Sequence, residues 1–123
     1  MAQPIQHHFV FIADPGESTD CVRGLGDVVH LDDALSGANL YTALGQPDIV
    51  TVEKEHVSVP MLESLCDYCL VAPTPEAIRI CQHRGREKNV LQSLGVATAP
   101  FHLVDSAETL IDAVESLGYP AFV

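Results

Sequence analysis

Basic residues are scarce in this sequence: six Lys and Arg stand against 17 Asp and Glu, a formal charge of −11 over 123 residues. That balance repels polyanions and excludes a general nucleic-acid or acidic-membrane surface, so any bound phosphate must meet a local exception. Long apolar runs are absent as well. No stretch approaches the roughly 18–20 apolar residues of a membrane span, and the opening "MAQPIQHH" lacks the basic and apolar regions of a secretion signal, which leads to the expectation of a cytoplasmic protein. A second close cysteine pair is missing. Of Cys21, Cys66, Cys69 and Cys81, only "CDYC" has the two-residue spacing of zinc and redox sites, and a zinc ribbon needs another such pair. The thiols are therefore expected to pack as small hydrophobes. His7-His8 has no partners at metal-ligand spacing, so no metal site is assigned. G-x-S-x-G, a Walker loop and G-x-G-x-x-G are all lacking, and "RGLG" is too slight to replace them.

What is present suits one ordinary domain, with an apolar fraction of 47%. "HFVFIAD" reads as a buried strand running into the Asp14-Pro15-Gly16 turn. "DVVHLD" is a second short strand, and "DALSGANLYTALG" a helix stopped by Gly45. "DIVTVE" is a β-branched strand, "SVPMLESLC" a short helix and "CLVAP" another strand. Thr74-Pro75-Glu76 opens a helix expected to run to about Leu94 before Gly95. "FHLV" follows as a strand, then Asp105-Ser106-Ala107-Glu108 enters the helix "AETLIDAVESL", and "YPAFV" begins a last strand. Strands alternating with helices predict an α/β architecture with a mostly parallel sheet, in which ligands sit beyond the carboxyl ends of the strands.

Two stretches are candidates for chemistry. From Gln82 to Asn89 the predicted helix has no apolar side chain, and Arg79, Arg84, Arg86 and Lys88 gather there as a positive island on an acidic protein. Arginine offers a planar fork to phosphate oxygens and lysine a mobile point charge; the same pattern also describes a solvated helix face balanced by Glu76 and Glu87. In "TVEKEHV", period two puts Glu53 and Glu55 on one face at the end of a strand. They could accept hydrogen bonds from a ribose or an amine, or bind through a cation. Equally, two acids can mark where a strand emerges into water. His56 beside them could be an acid or base, although a lone loop histidine is commonly uninvolved.

Several ordered stretches together resemble 5-(carboxyamino)imidazole ribonucleotide synthase, an ATP-grasp family of purine biosynthesis. "DIVTVEKEHV" looks like its Thr-x-Glu-x-Glu-(His or Asn)-Val segment, and "APTPEAIRI" is similar to its Pro-Ser-Pro-Glu-Ala helix entry. "CQHRGREKNVLQSLGVATAPF" resembles its Gln-Asp-Arg-x-x-Glu-Lys helix and the Leu-Gly-(Ile or Val)-x-Thr-Ala-Pro-Phe that follows. "ESLGYPAFV" resembles its Leu-Gly-Tyr-Pro-Ala strand. The likeness covers roughly Phe9 to Val123 and is specific from Asp48 onward.

The resemblance implies an incomplete pre-ATP-grasp (Rossmann-like) parallel sheet domain over residues 1–73. A linking helix over 74–95 and the start of an ATP-grasp small subdomain over 96–123 would follow. It implies ATP and magnesium as cofactors, bicarbonate activated as carboxyphosphate, and carboxylation of the exocyclic amine of aminoimidazole ribonucleotide. By the motif match, Arg84 contacts ATP phosphate, and Glu53 and Glu55 line the ribonucleotide side of the cleft. His83 stands where the family usually has Asp. The family's opening strand and Gly-Gly-Gly-Gln-Leu-Gly-Arg-Met loop, and its lysine after the last strand, have no counterpart here. The expectation is a fragment truncated at both ends and inactive by itself. A fragment of formate-dependent glycinamide ribonucleotide transformylase is the alternative within the ATP-grasp class. A non-catalytic module that pairs through exposed strand edges, as in a homodimer, is the alternative outside it.

Overall fold

The computed structural model describes residues 7–32 and 34–118. They fall into two compact units, Met1–Arg79 and Ile80–Val123. In the first unit, β1 (Val10–Ala13) pairs in parallel with β2 (Asp27–His30), and β3 (Ile49–Val50) pairs in parallel with β4 (Leu70–Val71). Helices α1 (Gly37–Ala43) and α2 (Val59–Leu65) connect them, and α3 (Pro75–Cys81) follows. The expected α/β order with parallel pairing is therefore present. Among the described residues the strands form two separate two-stranded ladders.

Local signals set these elements. The hydroxyl of Ser58 accepts from the Met61 amide at 3.2 Å with Pro60 in the first turn, and Thr74 Oγ1 accepts from the Ala77 amide at 3.3 Å ahead of Pro75. Each cap satisfies an amide that the helix itself leaves unpaired, worth about 1 kcal/mol. Gly45 ends the first helical stretch at φ +74°, a conformation that glycine adopts without a Cβ clash.

Leu40 of α1, Leu62 and Leu65 of α2, and Leu44, Val50, Val59, Val71 and Ile78 form the core of this unit. Val10, Ile12 and Val29 pack against it from β1 and β2. Leu40, Leu62 and Leu65 are fully buried, each worth about 1.5–3 kcal/mol of apolar transfer. The strands obey period two: Val50 and Val71, paired in register, are buried, while their neighbours Ile49 and Leu70 are exposed.

The strand expected over "DIVTVE" is only two residues long. Its last rung is the Ala72 amide donating to the Val50 carbonyl at 2.9 Å, and Pro73 follows with no N–H to continue the ladder. The thiols meet the expectation of packing only at Cys69, which lies against the core. Cys21, Cys66 and Cys81 are exposed and Cys69 is half-buried, with Cys66 and Cys69 Sγ facing the Leu62 and Leu65 carbonyls at the end of α2. Burial and the neighbouring Cys66 push the Cys69 thiol up, away from reactive thiolate chemistry.

The second unit contains α4 (Arg84–Ser93) and α5 (Ala107–Leu117). The helix expected from Thr74 to Leu94 is thus two helices. His83 is extended between them, at φ −134° and ψ 107°, and its side chain accepts from the Arg86 amide as the cap of α4. A polar run with no apolar stripe has nothing to hold it straight against a core, and the local cap decides the geometry. Gly85, inside that polar run, is nevertheless buried, because Leu103 lies against it. The strand expected at "FHLV" is absent: residues 101–104 lie in irregular backbone, with Phe101 under the Lys88 ammonium and Leu103 against Gly85 instead of in a ladder. α5 opens on a capping box in which Ser106 Oγ accepts from the Thr109 amide and Thr109 Oγ1 accepts from the Ser106 amide. The strand expected at "YPAFV" lies outside the described residues.

Candidate functional site

At the carboxyl end of β1 the chain turns through Asp14 and Glu17. The Glu17 amide donates to the Asp14 carbonyl at 3.0 Å, and the Glu17 carboxylate accepts from the Asp14 amide at 2.9 Å. At the carboxyl end of β3 the chain bends through Glu53, Lys54 and Glu55. These two turns, each just past the carboxyl end of a strand in a different ladder, meet through a side chain. Lys54 joins them, donating to Asp14 Oδ2 at 3.0 Å and to Glu17 Oε1 at 2.8 Å. The Lys54 hydrogen bond, and after it the Asp14 amide, hold the Glu17 carboxyl below the usual glutamate range. Glu17 and Asp14 in turn raise Lys54.

Glu53, Glu55 and His56 are all exposed beside this triad. The period-two reason for placing both acids on one strand face does not hold, since the strand stops at Val50 and the acids occupy a bend. They still flank one residue, Lys54, whose ammonium is tied to the neighbouring turn. Lys54, Asp14 and Glu17 carried no special mark in the sequence: their partners lie 37 and 40 positions apart. The available signal was topological, a lysine and two acids each just past the end of a parallel strand.

Arg84 is the first residue of α4 in the second unit, with 81% of its side chain exposed, and it donates to Glu87 at 2.7 Å. The acid pair belongs to the first unit and Arg84 to the second. His83, standing where the resembled family usually has Asp, caps α4: Nδ1 accepts from the Arg86 amide at 3.3 Å, which requires the ring proton on Nε2. Lys88 lies 5.4 Å from the centre of the Phe101 ring, a cation–π distance. Arg79 is paired with Glu63 and Glu76, so it serves the packing of α3 onto α2. The positive island of the sequence therefore divides into a structural arginine and a group on α4.

That group borders a cleft of about 920 Å³ within the second unit, lined by Arg84, Lys88, Phe101, His102, Leu103 and Leu110 among others. Its size is within the range of small-molecule sites, and its wall combines apolar and aromatic surface with two cations. Among the described residues no group of three or more His, Cys, Asp or Glu side chains could hold a metal ion. Among them, too, no helix is long and apolar enough to cross a membrane.

No family model matches the sequence. The N5-carboxyaminoimidazole ribonucleotide synthase of Staphylococcus aureus strain MRSA252 is 32% identical over 126 residues, covering 100% of this chain and 33% of the relative. The crystal structure of N5-carboxyaminoimidazole ribonucleotide synthetase from Thermus thermophilus superposes with a TM-score of 0.76 at 32% identity, over 93% of this chain and 31% of that one. The Staphylococcus aureus synthetase complexed with ADP gives a TM-score of 0.69 at 31% identity, over 92% of this chain and 30% of that one. The chain spans a third or less of the length of the curated relatives it matches.

Proposed function

The chain belongs to the N5-carboxyaminoimidazole ribonucleotide synthase family over the third of those enzymes that it spans, and from that premise we propose that it forms the N-terminal part of an ATP-dependent carboxylase of aminoimidazole ribonucleotide. In this reading residues 1–73 are the pre-ATP-grasp part, 74–95 the link and 96–123 the start of the small subdomain, working in the cytoplasm. The observation that carries the proposal is the exposed acid pair in a bend at the carboxyl end of a parallel strand, fixed through Lys54 to the turn after β1.

Glu53 and Glu55 are the ribonucleotide ligands. Ionised carboxylates only accept, so they suit ribose hydroxyls and the amine that becomes carboxylated. Arg84 takes nucleotide phosphate with its planar fork, at the border of a cleft whose Phe101 and Leu103 offer apolar surface to a base. ATP supplies the phosphoryl group that activates bicarbonate. Magnesium is implied by the resemblance alone, and no group of three or more His, Cys, Asp or Glu among the described residues could hold it.

Calorimetric titration of the chain tests these assignments. Arg84→Met is expected to weaken ATP about tenfold and leave aminoimidazole ribonucleotide unchanged, while Glu53→Gln with Glu55→Gln does the reverse. Equal affinities in wild type and variants would remove these residues from the site.

A second reading is favoured by one observation: the β1–β2 and β3–β4 ladders have open edges among the described residues, beside exposed Ile49 and Leu70. Open edges recruit further strands, and a second copy is the simplest donor. Light scattering on the eluted chain separates the readings by a dimer or a monomer mass.

A further inference from the structure

We infer that Lys54 is a positioning residue, its ion pairs with Asp14 and Glu17 setting where Glu53 and Glu55 stand relative to the turn after β1. The inference rests on the reading of those two acids as ribonucleotide ligands. Its foundation is geometric. Past the last ladder residue, Val50, the backbone leaves the sheet and has no further rung to define its path. Val52 and Val57 pack against the core on either side of the bend, and the side chain of Lys54 ties its tip, because it reaches two carboxylates on another segment, at 3.0 and 2.8 Å. The second of these, Glu17, is itself fixed by accepting from the Asp14 amide at 2.9 Å, so the anchor is a closed ring of contacts and not one mobile pair.

The arrangement also sorts charge. Four carboxylates, those of Asp14, Glu17, Glu53 and Glu55, crowd around the two turns, and a single lysine is bonded to the first two. With Lys54 engaged by Asp14 and Glu17, Glu53 has no hydrogen-bond or ion-pair partner among the described residues and its carboxylate faces solvent. A lysine turned instead onto Glu53 would neutralise an acid meant for the ligand. Half-exposed ion pairs of this kind add little to stability, so their value here is orientation.

The test uses the whole 123-residue chain with Lys54→Met, Lys54→Arg and an Asp14→Asn/Glu17→Gln double variant. Lys54→Met and the double variant are expected to move the amide signals of residues 52–57 and to weaken aminoimidazole ribonucleotide about five- to tenfold, with the melting temperature near that of the wild type. Lys54→Arg, which keeps the charge and the reach, is expected to restore both readouts. A Lys54→Met chain with wild-type affinity, in a series where Glu53→Gln weakens binding, overturns the positioning role and leaves the acid pair in place. A wild-type chain that shows no response to the ribonucleotide overturns the reading of the acid pair, and the positioning role falls with it.

Discussion

Leu62→Ala is expected to destabilise the first unit by about 3–4 kcal/mol, among the largest single-residue effects expected of the described residues. Leu62 has no exposed surface and sits among Leu40, Leu44, Leu65, Val50, Val71 and Ile78, where α1, α2 and both β3 and β4 converge. Truncation removes the transfer free energy of the lost carbons and leaves a cavity that two short helices and two-residue strands cannot close without losing other contacts. For a small unit whose whole stability is a few kcal/mol, that loss is close to complete unfolding. Leu25→Ala is the matched control, because Leu25 is 63% exposed. Native-state hydrogen exchange resolves the effect better than a single melt, since two compact units need not unfold together. Protection lost across α1 and α2 is the expected result; a change within about 0.5 kcal/mol, the range of ordinary surface substitutions, would mean this core does not exist.

Gly26→Ala ranks second, at about 2–3 kcal/mol. A Cβ at Gly26 would stand 2.1 Å from the Phe9 carbonyl oxygen and 2.8 Å from its carbon. That carbonyl accepts the Asp27 amide at 3.1 Å, the rung that starts the β1–β2 ladder. Backbone cannot step aside as a side chain can, so the methyl group displaces the rung and the register with it. Gly85→Ala gives the contrast. Its Cβ would meet Leu103 Cδ2 at 2.3 Å, but the obstacle is the end of a flexible side chain that can turn away. Exchange rates at Val28 and Val29 are expected to rise in Gly26→Ala and to stay as in wild type in Gly85→Ala. Unchanged exchange in Gly26→Ala would contradict the close approach of the two segments.

Much of this fold was legible because local chemistry and tertiary structure agree. Thr74 and Ser106 cap the helices that their positions announced, and Gly45 and Gly95 adopt the positive φ of helix stops. β1 and β2 follow their apolar runs. The departures share a physical cause, which is that the deciding partner lies elsewhere in the chain or in a side chain with two possible roles. Pro73 cuts the β3–β4 ladder short, so the strand expected over "DIVTVE" keeps two residues and a bend follows. His83 can continue a helix or cap one, and its bond to the Arg86 amide makes it a cap. Phe101 and Leu103 alternate as strand residues do, yet they pack on α4.

The candidate site shows the same division. Glu53 and Glu55 stood out by their alternation, although a bend and not a strand presents them. Arg84 stood out within a basic cluster, and the structure separates it from Arg79, whose partners are Glu63 and Glu76. Lys54 could not be singled out from its neighbours, because an isolated lysine between two glutamates looks like a solvated face until the turn after β1 is brought beside it.

The assignment to a ribonucleotide carboxylase is tested most directly by grafting residues 9–118 into the Staphylococcus aureus relative in place of the segment they align with. ADP formation is then followed with ATP, bicarbonate and aminoimidazole ribonucleotide. The expected result is turnover that depends on the ribonucleotide and falls by at least about tenfold when Glu53 and Glu55 are both changed to Gln. A folded graft that binds ADP but gives no ribonucleotide-dependent turnover would contradict it.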